Sequence, residues 1–179
     1  MTEVGINYSG ALYDLAAAED LSREILAQLQ ALNESFAREP GFSALLCAHS
    51  LPKTERCKIL GDSFAGKVHP YVLNFLKILT EKGYVRQFPD CCKAYQMRYN
   101  ADNNILPVTA VTAVALSEDQ AARLKEKLEK LTEKTVELTN RLDPNVLGGV
   151  RLDFDGKCVN DTLAHRLQSV RSLLNNTIL

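Results

Sequence analysis

Apolar residues recur every three or four positions through the first hundred residues, and every second position through much of the remainder. That change of period predicts helices followed by a region that contains strands. The first helix is expected over 4–18, with Val4, Tyr8, Leu12 and Leu15 (and Ala11) at helical spacing. Gly10 interrupts it and should cost about 1 kcal/mol relative to alanine, which suggests a neighbour packed closely against it. Asp20 is expected to cap a second helix over 21–38, whose face carries Ile25, Leu29, Leu32 and Phe36, with Pro40-Gly41 ending it. A short helix over 42–48 follows. A fourth opens at Ser50-Leu51-Pro52, carries Cys57, Ile59, Leu60 and Phe64, and stops near Gly66.

Pro70 opens a fifth helix with Val72, Leu73, Phe75, Leu76, Ile78 and Leu79, and Gly83 is placed to end it in the left-handed conformation. This helix is apolar around most of its circumference, so either it is central or one of its faces serves a partner. A sixth begins near Pro89-Asp90, contains Tyr95, Met97 and Tyr99, and gives way to the polar run Asn100-Ala101-Asp102-Asn103-Asn104. That run sets the expected boundary between a six-helix bundle over 1–104 and a smaller α/β domain over 105–179.

In the second region, Leu106 to Ala115 has apolar residues on both faces, as an interior strand does. Ser117-Glu118-Asp119-Gln120 reads as a capping box for a helix with Leu124, Leu128 and Leu131 as its buried stripe. Val136, Leu138 and Leu142 alternate with Glu137, Thr139 and Arg141. Val150, Leu152 and Phe154 alternate with Arg151 and Asp153, so in both runs the apolar positions are expected on a buried face and the polar ones on a wet face. These two runs flank the turn Asp143-Pro144-Asn145-Val146-Leu147-Gly148-Gly149. Asp155-Gly156 signals a hairpin into a short strand at Cys158-Val159, after which Asn160 or Asp161 should cap a last helix with Leu163, Leu167, Val170 and Leu174. The fold class is thus mainly α with a small α/β part, built as strand, helix, hairpin and helix.

Charge excludes more than it suggests. The 179 residues carry a formal charge of -1, with 10 basic and 10 acidic residues from Ile105 onwards and 11 and 12 before it. No basic excess points to nucleic acid. No apolar run approaches the roughly 20 residues of a membrane span, and the opening Met1-Thr2-Glu3-Val4-Gly5 lacks the features of a secretory signal. Five cysteines at 47, 57, 91, 92 and 158 form no framework and are expected to be reduced thiols.

Catalytic chemistry finds little to build on. Gly61-Asp62-Ser63-Phe64-Ala65-Gly66-Lys67-Val68 has phosphate-loop spacing, but Val68 stands where a magnesium-binding hydroxyl is needed and the preceding segment reads as helix. The histidines at 49, 69 and 165 lie far apart, and no cysteine pair has metal-ligand spacing. Neither catalysis, a metal nor a cofactor is expected.

Several ordered segments resemble one family. They are Tyr8-Ser9-Gly10-Ala11-Leu12-Tyr13-Asp14-Leu15-Ala16, then Asn74-Phe75-Leu76-Lys77-Ile78-Leu79-Thr80-Glu81-Lys82-Gly83, then Val111 to Ser117, and Asp143-Pro144-Asn145-Val146-Leu147-Gly148-Gly149-Val150. In this order and spacing the chain resembles the delta subunit of bacterial F-type ATP synthase, related to the mitochondrial oligomycin sensitivity-conferring protein. It departs from that pattern at Ser9-Gly10, at Tyr84 where arginine is frequent, and at Leu163. The resemblance implies a non-catalytic peripheral-stalk subunit on the cytoplasmic face of the cell membrane. It further implies a groove between the first and fifth helices that receives the N-terminal helix of the alpha subunit, with Tyr8, Ala11, Leu12, Leu15, Leu76, Ile78 and Leu79 as contacts. The last helix, through Leu163, Leu167, Val170 and Leu174, is the implied contact with the C-terminal end of the b subunits. Two readings compete: a thiol-based redox or metal sensor using Cys91-Cys92 and the other thiols, and an unrelated helical scaffold of similar fold.

Overall fold

A computed structural model describes residues 2–47, 51–144, 146, 148–154 and 156–162. The chain is mainly helical with a small four-stranded mixed sheet, and it divides into two compact units, Met1–Tyr99 and Asn100–Leu179. The first unit is built from α1 (Glu3–Ala18), α2 (Ser22–Arg38), α3 (Pro40–Cys47), α4 (Lys53–Phe64), α5 (Pro70–Lys82), a 3-10 turn (Val85–Gln87) and α6 (Phe88–Asp102). One core joins them: Leu12 and Ala16 of α1, Ile25 and Leu29 of α2, Leu46 of α3, Leu60 of α4, Val72, Leu76 and Leu79 of α5, and Phe88 and Tyr95 of α6.

The sequence places α1 correctly, and the face that α1 buries lies beside the apolar stripe that the sequence marks. Gly5, Ser9, Leu12, Tyr13 and Ala16 are buried, whereas Leu15 is 54% exposed. Small residues at Gly5 and Ser9 let α1 approach α6 closely. A Cβ at Gly5 would lie 3.4 Å from the Asp90 backbone, and the Ser9 hydroxyl turns back to donate to the Gly5 carbonyl at 2.6 Å. Further along, the Tyr13 and Tyr95 rings meet edge to face at 5.3 Å. Arg98 lies 5.2 Å from the Tyr13 ring centroid and pairs with Asp14 at 2.6 Å. The neighbour expected at Gly10 is the Arg98 guanidinium, 3.2 Å from where a Cβ would stand.

Two terminators differ in informative ways. Gly83 ends α5 with φ 78°, as expected, and the Tyr84 amide donates to the Leu79 carbonyl at 2.7 Å. Asp20, expected to cap α2, instead closes α1. It takes the left-handed conformation (φ 58°) while its amide donates to Ala17 and the Leu21 amide donates to Ala16. This is the paired bonding of a Schellman ending, and short polar aspartate tolerates that conformation better than most residues. The N-cap of α2 is Leu21, without a side-chain cap. Similarly, Pro40-Gly41 does not merely stop α2; it starts α3.

The second unit contains β1 (Ile105–Thr112), α7 (Glu118–Thr132), β2 (Thr135–Leu142), β3 (Gly149–Phe154) and β4 (Lys157–Thr162), in the sheet order β2-β1-β3-β4. β1 is interior, parallel to β2 across the α7 crossover and antiparallel to β3. The runs flanking the Asp143–Gly149 turn are therefore not hairpin partners; β1 separates them. The hairpin is β3–β4 around Gly156 (φ 72°), where the sequence signals it. The capping box on α7 forms as read, the Gln120 amide donating to Ser117 Oγ and the Ser117 amide to Gln120 Oε1 at 3.1 Å. Val108, Val136 and Leu128 form this unit's core with Leu106.

Three expectations here are corrected. Leu131 is 81% and Leu142 is 55% exposed rather than buried. Asn160 and Asp161 cap no helix: they lie in β4, opposite Arg151 and Val150, so their backbones are committed to a strand ladder. The expected terminal helix, with Leu163, Leu167, Val170 and Leu174, lies outside the described residues.

Candidate functional site

An apolar groove of about 300 Å³ opens between α1 and α5. Tyr8, Ala11, Leu12 and Leu15 form one wall; Tyr71, Asn74, Phe75 and Ile78 form the other. Each wall is the same pattern, i, i+3, i+4 and i+7, so each helix presents two turns of one stripe. Leu12 and Phe75 make the floor, at 4% and 5% exposure, and also belong to the core beneath. Leu15 and Ile78 stand at the rim, Ile78 being 43% exposed.

Five of the seven residues expected to contact a partner helix therefore share this groove: Tyr8, Ala11, Leu12, Leu15 and Ile78. Leu76 and Leu79 do not. They are 2% and 0% exposed and point into the core. Sequence reasoning missed Tyr71, Asn74 and Phe75. The stripe 71, 74, 75, 78 could have been read from the helical period, but polar Asn74 interrupts it, and the more continuous leucines at 76 and 79 drew the assignment instead.

Polar groups sit at the ends of the groove. The Tyr71 hydroxyl donates to Glu19 Oε1 at 2.5 Å, and that hydrogen bond to a carboxylate raises the phenol above its ordinary range. Tyr84 packs its ring 6.2 Å from that of Tyr8, tilted by 58°. Apart from the Tyr8 and Tyr71 hydroxyls and the Asn74 amide, the lining is aliphatic and aromatic carbon, the character of a surface that binds another apolar surface.

Other candidate chemistry fails on geometry. Gly61 lies within α4, so the phosphate-loop spacing falls on a helix. Among the described residues no group of three or more His, Cys, Asp or Glu is placed to hold a metal ion. Cys91 and Cys92 are both buried; desolvation pushes their thiols up to about 11 and about 12. A thiol held protonated is a poor nucleophile and a poor ligand, which argues against a redox or metal sensor built on that pair.

The same burial has a consequence at alkaline pH. A thiol whose proton is held more tightly in the folded state than in the unfolded chain contributes stability that is intact below about pH 9 and is lost as pH climbs towards 12. The helical unit is expected to lose stability progressively above pH 9. Replacing Cys92 with alanine should flatten that decline while lowering stability at neutral pH. Urea midpoints measured across pH 7–11 check it, and an unchanged slope in the variant contradicts the assignment.

The model of the ATP synthase delta (OSCP) subunit family matches residues 4–174. The ATP synthase subunit delta of Alkaliphilus oremlandii is 27% identical, over 98% of this chain and 97% of its own. That of Lactobacillus gasseri is 30% identical, over 96% of this chain and 94% of its own. Among solved structures, a chain of the Toxoplasma gondii mitochondrial ATP synthase hexamer superposes with a TM-score of 0.75 at 16% identity, covering 97% of this chain and 98% of that one. This last likeness speaks to the fold.

Proposed function

The chain belongs to the ATP synthase delta (OSCP) subunit family, and from that membership we propose that its α1–α5 groove clasps the N-terminal helix of the alpha subunit. The chain is a non-catalytic peripheral-stalk subunit of F-type ATP synthase. The observation that supports the clasp is the pair of matched stripes, Tyr8-Ala11-Leu12-Leu15 and Tyr71-Asn74-Phe75-Ile78, facing each other across an open apolar trough. An amphipathic helix laid along them would bury its own i, i+3/i+4, i+7 anchors between the two walls.

A stalk joint has to withstand rotor torque during proton- or sodium-driven synthesis by binding alone. Apolar anchors suit that task, since full burial of one leucine-sized side chain contributes about 1.5–3 kcal/mol before the losses of association. In this reading α1 to α6 form a six-helix bundle that keeps the walls rigid. The C-terminal domain, through Leu163, Leu167, Val170 and Leu174, meets the C-terminal end of the b subunits. The assembly then holds the chain at the cytoplasmic face of the cell membrane through its partners; no helix among the described residues is long and apolar enough to cross a membrane.

A peptide with the sequence of the cognate alpha-subunit N-terminus tests the clasp. Titrated into the isotope-labelled full chain, it is expected to bind one to one and to move the amide signals of Ala11, Leu15, Asn74 and Ile78 most. Signals moving chiefly beyond Asn100, with the groove silent, overturn it.

A further inference from the structure

A second recess in the helical unit, about 400 Å³, lies where the C-terminal end of α5 meets α3 and α4. Its character is opposite to the groove's. Lys53, Arg56, Lys82 and Arg86 line it against a single carboxylate, Glu81, a formal excess of three positive charges. Among the described residues none of the four cations forms an ion pair. Arg56 is the anomalous member. It is 6% exposed, its Nη1 donates to the Leu46 carbonyl at 2.9 Å, and its Nε has no hydrogen-bond partner. A guanidinium taken out of water without a counter-charge is strongly destabilising, and proteins rarely bury one unless an anion compensates it.

We propose that this recess binds a phosphate-bearing polyanion, with Arg56 as its fixed base and Lys53, Lys82 and Arg86 as a mobile rim. A lone carboxylate would neutralise one of the three excess charges, whereas a di- or triphosphate delivers several negative oxygens within one small volume. The planar guanidinium suits oxyanion geometry and the lysines act as adjustable point charges. The recess also falls within the volume range of small-ligand sites. It is separate from the Gly61–Lys67 segment, whose first turn, Gly61–Phe64, is the end of α4, and it shares no residue with the α1–α5 groove.

Cys47 lines the same recess and reports on it. In the full chain at fixed ionic strength, inorganic pyrophosphate is expected to slow alkylation of Cys47 at least threefold, read by peptide mass. The exposed thiol of Cys158 in β4 should be unaffected. Lys53→Glu combined with Arg86→Glu, both at exposed positions, should keep the helical circular dichroism and abolish the protection. A parallel titration with ATP separates the sources. Protection at tenfold lower concentration than pyrophosphate assigns a nucleotide, and equal protection assigns the phosphate group alone. Cys47 rates unchanged by both compounds, equal slowing by chloride, or protection that survives the double reversal each overturn the site. Because the recess and the groove use different residues, this outcome is independent of alpha-peptide binding.

Discussion

Replacing Ile78 with aspartate is expected to leave the protein folded and to weaken binding of the alpha-subunit N-terminal peptide tenfold or more. Ile78 is 43% exposed on the rim of the groove, so the free protein hardly depends on it. The substitution exchanges an apolar side chain for a solvated carboxylate, with a penalty near a few tenths of a kcal/mol in helix propensity. In the complex the balance differs. The isoleucine's share of buried apolar area is lost, worth about 1.5–3 kcal/mol at full burial, and a carboxylate must be stripped of water against an apolar helix. Since about 1.4 kcal/mol is a factor of ten in affinity, half-burial of this one anchor, about 0.75–1.5 kcal/mol, reaches the predicted loss together with the cost of desolvating the carboxylate.

Controls make the result specific to the trough. Leu15→Asp, on the facing wall, should weaken the peptide to a similar degree, because a clasp needs both sides. Met97→Asp should change nothing, since Met97 is 55% exposed on α6 and outside the groove. Titration calorimetry gives the affinities and circular dichroism the fold. Undiminished affinity in folded Ile78→Asp and Leu15→Asp proteins moves the alpha contact elsewhere.

How far the sequence foresaw this site depends on what each residue contributes to a periodic signal. The stripe of α1 was visible because Tyr8, Leu12 and Leu15 are large and apolar. What stayed hidden is that the core takes the neighbouring stripe of Gly5, Ser9 and Ala16, whose small side chains carry little apolar signal yet permit close helix approach. On α5 the ambiguity ran the other way: the helix is apolar on two faces, and only packing separates Leu76 and Leu79 beneath from Ile78 above.

In the second unit the alternation at β2 located the strand but not its place in the sheet. Among the described residues β2 pairs only with β1, and Leu142 is opposite Thr112 at the end of that ladder, so the alternating pattern runs on past the core. Pairing order is a long-range property. The parallel β1–β2 contact is made across a helix, which local turn signals between 143 and 149 cannot reveal. Sharp local chemistry fared best: Ser117 with Gln120, and Gly83, act as read because a cap is decided within a few residues.

Phe88→Ala is expected to produce the largest loss of stability, about 3–5 kcal/mol for a fully buried phenylalanine. Phe88 is 0% exposed at the start of α6, with its ring 5.2 Å from that of Phe36 of α2. Phe36 in turn meets Phe42 of α3 at 5.7 Å and Phe64 of α4 at 6.3 Å, and these last two meet at 5.8 Å. Truncating Phe88 opens a void beside the one residue that touches all the others, so collapse to fill it would have to move several helices at once. Domain stabilities are typically about 5–15 kcal/mol, so the variant should hold its helical unit only marginally. The six tyrosines all lie before Asn100 and the chain has no tryptophan, so intrinsic fluorescence reports this unit alone. Its urea midpoint should fall steeply in Phe88→Ala while that of Ile78→Asp stays near the parent's. Equal midpoints for the two variants would mean that Phe88 anchors nothing, and that the walls of the groove are held by some other part of the core.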